Sequence, residues 1–195
     1  MHENVQTPKK INAMNETINR KGMVLWFCGL SGSGKTTIAN ALKEELLKRG
    51  KKVSILDGDA IRDSLHRHLG FTPDDIRLNN RLISELCEKH VEDHDFVLVP
   101  IISPFRSSRA EAKAKLKDRF LEVYINSSLS TCITRDVKGL YKKALNGEIP
   151  NFIGLSKEVP FEPPLFPDVE IKTEGAEIKE SVDILISHMT SKELL

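Results

Sequence analysis

The sequence has little cysteine, no surplus of one charge and no long apolar run. Its three cysteines, Cys28, Cys87 and Cys132, cannot all pair and are far apart. No CxxC and no ligand-like Cys/His spacing is present, which argues against a disulfide scaffold or a zinc site. Free thiols suit a reducing compartment. Lys plus Arg is 29 and Asp plus Glu is 28, a formal net charge of +1. That balance excludes a protein held to nucleic acid or membrane by bulk charge, though not local patches. The longest apolar runs, Val24 to Cys28 and Phe96 to Ile102, are far short of the ~20 residues that span a bilayer. The N-terminus is polar and lacks the apolar core of a signal peptide. Nothing repeats, and no segment is of low complexity. The expectation is a cytoplasmic protein with a flexible arm over 1–21 and a single domain over 22–195.

What is present is alternation. Short β-type runs (23–28, 52–56, 96–102, 120–125, 169–172) are separated by amphipathic stretches. Helices are expected over 36–49, 60–69, 72–91, 106–117, 129–144 and 177–189. Thr72 and Pro73 suit an N-cap and first turn, and Gly50 a helix stop. Residues 145–167 hold five of the nine prolines and read as a loop. Strand–helix alternation with continuous apolar strands predicts an α/β fold, a parallel five-stranded sheet with helices on both faces. Such sheets bind ligands at the carboxyl ends of their strands. Three of those ends carry Gly29, Asp57 and Ser103.

The first end is the most specific. Gly29 to Thr36 (GLSGSGKT) matches G-x-x-x-x-G-K-S/T between a strand and a helix. The glycines let successive N–H groups turn toward one anion, and the helix N-terminus adds positive charge. Lys35 would bridge the β- and γ-phosphates, and the Thr36 hydroxyl would ligate Mg²⁺. A guanine-reading N-K-x-D is absent, and strand 96–102 does not end in adjacent acids. A small ATP-dependent phosphotransferase fits better than a GTPase or a motor. At the second end, Asp57-Gly58-Asp59 offers one carboxylate for a metal-bound water and one for the proton of an attacking hydroxyl. Arg62, three residues on, would lie near Asp59 on a helix.

The order of motifs resembles adenylylsulfate kinase, a P-loop kinase family, over about residues 22–190. The motifs are GLSGSGKTTIA (29–39), LDGDAIR (56–62), LGFTPDD (69–75), IISPFRSSR (101–109), RDVKGLYKKA (135–144), NFIGL (151–155) and PFEPPLFPDVEI (160–171). The resemblance implies a three-layer P-loop fold with a helical lid over about 135–167. It implies ATP and Mg²⁺ as cofactors, a small nucleotide as acceptor and a homodimer. The implied reaction phosphorylates the 3′-hydroxyl of adenosine 5′-phosphosulfate, as a step of sulfate activation.

The resemblance also implies roles. Gly29, Leu30, Ser31, Gly32, Ser33, Gly34, Lys35, Thr36 and Thr37 would hold ATP, with Arg135 and a segment from Thr173 to Ala176 near it. Thr36 and Asp57 would serve the metal. Lys35, Asp57, Asp59 and Ser103 would form the catalytic set, with Asp59 as proton acceptor and Ser103 in a binding role. Arg62, Asn79, Ile102 and Asn151 would line the acceptor site, and Phe71 and Phe152 would sandwich its base. Lys138, Gly139 and Leu140 would lie on the lid, and Arg106 and Arg109 would add positive charge locally.

Two departures fall on the acceptor side. The family usually reads D-R-x-x-N-I-R-R, and its first and last arginines are Ile76 and Leu82 here. Arg77 sits about 100° around the helix from Ile76 and is not an obvious substitute. The link from Gly154 to Pro160 is also longer by about two residues than the usual one. A nucleotide with another small 5′-phosphate substituent, such as cytidine diphosphoramidate, is the second acceptor these changes allow. A nucleotide-dependent binding module is the alternative of another class. The pairs His66/His68 and His90/His94 read as solvated histidines, the Lys113–Lys117 run as a solvated helix face, and Cys132 as unreactive.

Overall fold

A computed structural model describes residues 22–195, so the expected arm over 1–21 lies outside the described residues. Five strands, β1 (Met23–Cys28), β2 (Val53–Ile55), β3 (Phe96–Pro100), β4 (Phe120–Asn126) and β5 (Val169–Lys172), form one sheet in the order β2-β3-β1-β4-β5. Every pairing is parallel. Six helices lie between them, α1 (Lys35–Lys48), α2 (Gly58–Ser64), α3 (Pro73–His90), α4 (Arg106–Leu116), α5 (Leu129–Arg135) and α6 (Leu140–Leu145), and α7 (Ile178–Ser191) follows β5.

The central strands β1 and β3 are apolar on both faces because both faces are covered. Leu25, Phe27, Leu98 and Val123 pack beneath α1 and α7 through Leu42, Leu46, Leu185 and Met189. Val24, Trp26, Val97 and Val99 pack on the other side against Ile83 and Cys87 of α3 and Ala112 and Leu116 of α4. A third cluster joins Leu30, Cys132 and Tyr141, with Phe152 and Phe161 against it. It fastens the segment after β4 over the phosphate loop.

Several expected boundaries move. The helix expected over 60–69 begins at Gly58 and ends at Ser64, because Asp57 caps it by accepting from the N–H groups of Asp59 and Ala60. The strand expected to reach Ile102 stops at Pro100, and the chain turns to give Ser103 a φ of 45°. The single helix expected over 129–144 is two. Asp136 and Gly139 adopt φ values of 24° and 65°, and the Asp136 carboxylate accepts from the N–H groups of Tyr141 and Lys142. Burial works against that carboxylate, but the N–H groups of Lys142, Tyr141 and Leu140 outweigh it and hold its pKa below the usual range. Thr72 caps α3 as expected, its hydroxyl accepting from the Asp75 N–H. Residues 145–167 contain no strand and, past Leu145, no helix.

Candidate active site

β1 and β2 are not neighbours; β3 lies between them. The carboxyl ends of these three adjacent strands carry Gly29, Asp57 and Ser103 to one edge of the sheet. A cleft of about 590 Å³ opens there, large enough for small ligands.

One wall is the phosphate loop. Gly29, Gly32 and Gly34 have φ of 150°, 74° and 106°, which turns the loop back upon itself at the start of α1. Lys35 is buried, and its Nζ donates to the carbonyls of Gly29 (3.0 Å) and Leu30 (2.7 Å). Burial pushes its ammonium down to about 8. The loop thus keeps a cation among its own carbonyls, ready for a stronger anion. The Thr36 hydroxyl donates to Asp57 Oδ2 at 3.0 Å. This pairs a hydroxyl and a carboxylate beside the loop, a hard-oxygen donor set suited to Mg²⁺.

The opposite wall comes from α2, α3 and the segment after β4. Asp59 is ion-paired with Lys138. Arg62 donates to the Gly70 carbonyl at 2.8 Å and lies 4.5 Å over the Phe71 ring. Burial draws its pKa below the usual arginine value. Asn79 is buried and shares a 2.9 Å hydrogen bond with His66 Nδ1. His66 is therefore a buried positioning partner, not the solvated histidine expected. Phe152 packs edge-on against Tyr141, ring centroids 4.9 Å apart. Ser103 is 1% exposed, and its hydroxyl has no partner within the protein.

Most expected residues meet in this cleft. Ser31, Gly32, Gly34 to Thr37, Asp57, Asp59, Arg62, Phe71, Asn79, Ile102, Ser103, Lys138, Leu140, Asn151 and Phe152 all line it. Gly29, Leu30 and Ser33 belong to the loop but do not line the opening, and Gly139 serves as the left-handed N-cap of α6. Arg106 does not reach the cleft: its Nε donates to the Pro163 carbonyl at 2.7 Å. Arg109 is buried behind it, bonded to Glu122 (2.7 Å) and to the carbonyls of Ser103 and Glu162 (both 2.6 Å). Arg135 also leaves the lining. It clamps the loop from behind, donating to Thr173 Oγ1 (3.1 Å) and the Thr173 carbonyl (2.7 Å). Ala176 is exposed beyond that contact.

Sequence reasoning gave no role to Tyr141 or Asn80, and placed Thr173 near ATP without its contact to the loop. The Tyr141 hydroxyl donates to the Ser31 carbonyl at 3.0 Å, and Thr173 donates to the Ser33 carbonyl at 3.0 Å. Ile76 and Asn80 of α3 also line the cleft. Ile76 packs with Phe105, Ile153 and Val159, so the place of a family arginine is filled by apolar contact. Arg77 does not replace it: the guanidinium pairs with Asp74 at 3.0 Å and lies 4.7 Å over Phe105. Of the other set-aside features, His68, Lys113 and Lys117 are exposed as expected, and the cysteines are packing. Cys28, Cys87 and Cys132 are buried, and burial pushes the thiols of Cys28 and Cys87 up to about 12. His90 bonds Ser54 Oγ at 2.9 Å.

Comparison with known proteins agrees with this geometry. The profile of the Adenylylsulphate kinase family matches residues 21–172. The chain is 43% identical over 178 residues to the adenylyl-sulfate kinase of Oceanobacillus iheyensis, covering 91% of this chain and 88% of that one. It is 40% identical over 195 residues to the adenylyl-sulfate kinase of Staphylococcus epidermidis, covering 100% and 96%. Its fold superposes on the Mycobacterium tuberculosis APS kinase, solved with AMPPNP and APS, with a TM-score of 0.83 at 36% identity, covering 87% and 98%. With a phosphate loop facing paired aspartates across one cleft, and these relatives matched over most of their length, the chain belongs to the adenylylsulphate kinase family.

Proposed function

We propose that the protein transfers the γ-phosphoryl group of ATP to the 3′-hydroxyl of adenosine 5′-phosphosulfate, giving 3′-phosphoadenosine 5′-phosphosulfate and ADP. The observation that carries this reading is the single cleft in which the phosphate loop faces Asp57 and Asp59. The loop N–H groups and Lys35 receive the ATP phosphates. Lys35 leaves the Gly29 and Leu30 carbonyls for the β- and γ-phosphates, and the phosphates restore the charge that burial disfavours. Thr36 and Asp57 would hold Mg²⁺, which when bound neutralises charge on the phosphoryl oxygens. Asp59 accepts the proton of the attacking 3′-hydroxyl, and Lys138 releases Asp59 as the acceptor enters. In-line transfer needs no enzyme nucleophile, so Ser103 binds through its unpaired hydroxyl. Phe71 and Phe152 hold the acceptor base by stacking, and Arg62 and Lys138 meet its anionic end. Residues 135–167 act as a lid that excludes water.

The test is an Asp59→Asn variant. It should bind ATP as the parent does and lose at least ~10²-fold in acceptor-dependent ADP release, within the usual contribution of a general base. Parent-like turnover would remove Asp59 from its role. The homodimer expected from the resemblance is tested by light scattering of the full chain, where a monomer mass at assay concentration would reject it.

A further inference from the structure

The geometry points to Asn80 as a specificity-determining residue whose amide oxygen accepts a hydrogen bond from a neutral N–H or O–H donor of the acceptor nucleotide. This deepens the acceptor reading above and rests on it.

Asn80 lies on α3, lines the cleft and is 3% exposed. Its Nδ2 donates to the Ile76 carbonyl at 2.8 Å. That bond settles the amide's orientation, because a flipped amide would set two oxygens against each other. Oδ1 is therefore the free end, and it has no hydrogen-bond partner within the protein. A buried carbonyl oxygen without a donor costs stability, so its retention calls for an explanation.

The surroundings specify the class of donor. Of the side chains lining the cleft, the cations are Lys35, Arg62 and Lys138, and none is on α3. The two arginines that flank Asn80 on that helix are engaged elsewhere, Arg77 with Asp74 and Arg81 with Glu111 at 2.7 Å. Ile76, one turn before Asn80, is apolar and buried. The α3 part of this wall offers no positive charge to a phosphate or sulfate, and the negative end of a carbonyl dipole repels one. It reads a neutral donor: an exocyclic amine of the base or a ribose hydroxyl.

The test compares three acceptors on the parent protein: adenosine 5′-phosphosulfate, its analogue lacking the 6-amino group, and its 2′-deoxy analogue. One of the two analogues should lose about tenfold in kcat/KM, which identifies the donor. Asn80→Leu, and Asn80→Ala as a smaller replacement, should lower kcat/KM for the full acceptor about tenfold and abolish the discrimination, with the KM for ATP unchanged. Asn80→Leu should also melt no lower than the parent, which a residue needed only for folding would not do. Equal turnover of all three acceptors by the parent overturns the inference, as does undiminished discrimination in both variants. A parent that binds ATP yet turns over none of the three overturns the acceptor reading itself, and the inference with it.

Discussion

Arg109 offers the sharpest stability prediction. It is 2% exposed, and its guanidinium makes three short bonds, to Glu122, the Ser103 carbonyl and the Glu162 carbonyl. It thereby ties α4 to β4, to the turn after β3 and to the proline-rich loop. Arg109→Met strands Glu122, whose side chain is 12% exposed, and leaves two carbonyls without their donor. Breaking a buried pair from one side costs about 3–5 kcal/mol. For a domain of this size each kcal/mol moves Tm by about 2–4 °C, so the variant should melt roughly 10 °C lower. Circular dichroism of the ligand-free protein reads this directly. Arg109→Lys should recover little, because one ammonium cannot reach three acceptors arranged around a planar fork. Adding Glu122→Leu to Arg109→Met should recover part of the loss by removing the stranded charge. Melting of Arg109→Met within ~2 °C of the parent, less than 1 kcal/mol on the same scale, would refute the reasoning.

Other perturbations reach the cleft itself. Lys35 is held near pKa 8 by burial, below its ordinary 10.5, so its charged form carries a cost that is relieved as pH rises through that window. Bound phosphates favour the charge, so ATP binding just above pH 8 should take up a proton and weaken about tenfold per pH unit. Calorimetry in buffers of different ionisation enthalpy checks this, and absence of proton uptake contradicts it. A Cβ at Gly29 would stand 2.5 Å from the Ile125 carbonyl oxygen, so Gly29→Ala should lose about 2 kcal/mol of stability and most nucleotide binding, read by melting with and without ATP. Lys138→Met should raise the acceptor KM about tenfold while leaving the KM for ATP near the parent value, as expected for the loss of one charge-assisted contact to the acceptor. An equal change in both would place Lys138 on the ATP side.

Much of this architecture could be read from local signals. β1 has the expected limits because it is an apolar run closed by turn residues, and β5 because Val169 and Ile171 alternate with exposed polar residues between turn signals. The phosphate loop is legible because its glycines and its lysine serve one local geometry. The break between α5 and α6 was hidden, since Leu129 to Ala144 keeps helical spacing throughout; Asp136 makes the break by turning its carboxylate onto the next helix. Its only signal was an Asp followed three residues later by Gly. Arg109 and Arg135 were legible as nearby charge but not as clamps, because their partners, Glu122 on β4 and Thr173 just past β5, come from other elements of the fold. His66 was misread for the same reason, as its partner Asn79 lies on the next helix.

Phosphoryl transfer from ATP to the 3′-hydroxyl of adenosine 5′-phosphosulfate is the reaction to establish. A coupled ADP assay with that acceptor and cytidine diphosphoramidate side by side, followed by ³¹P NMR of the product, tests it most directly. ADP release should depend on adenosine 5′-phosphosulfate, and the product should carry one new phosphate on its 3′-oxygen. ADP release that is indifferent to the acceptor, or faster with the cytidine nucleotide, would contradict it.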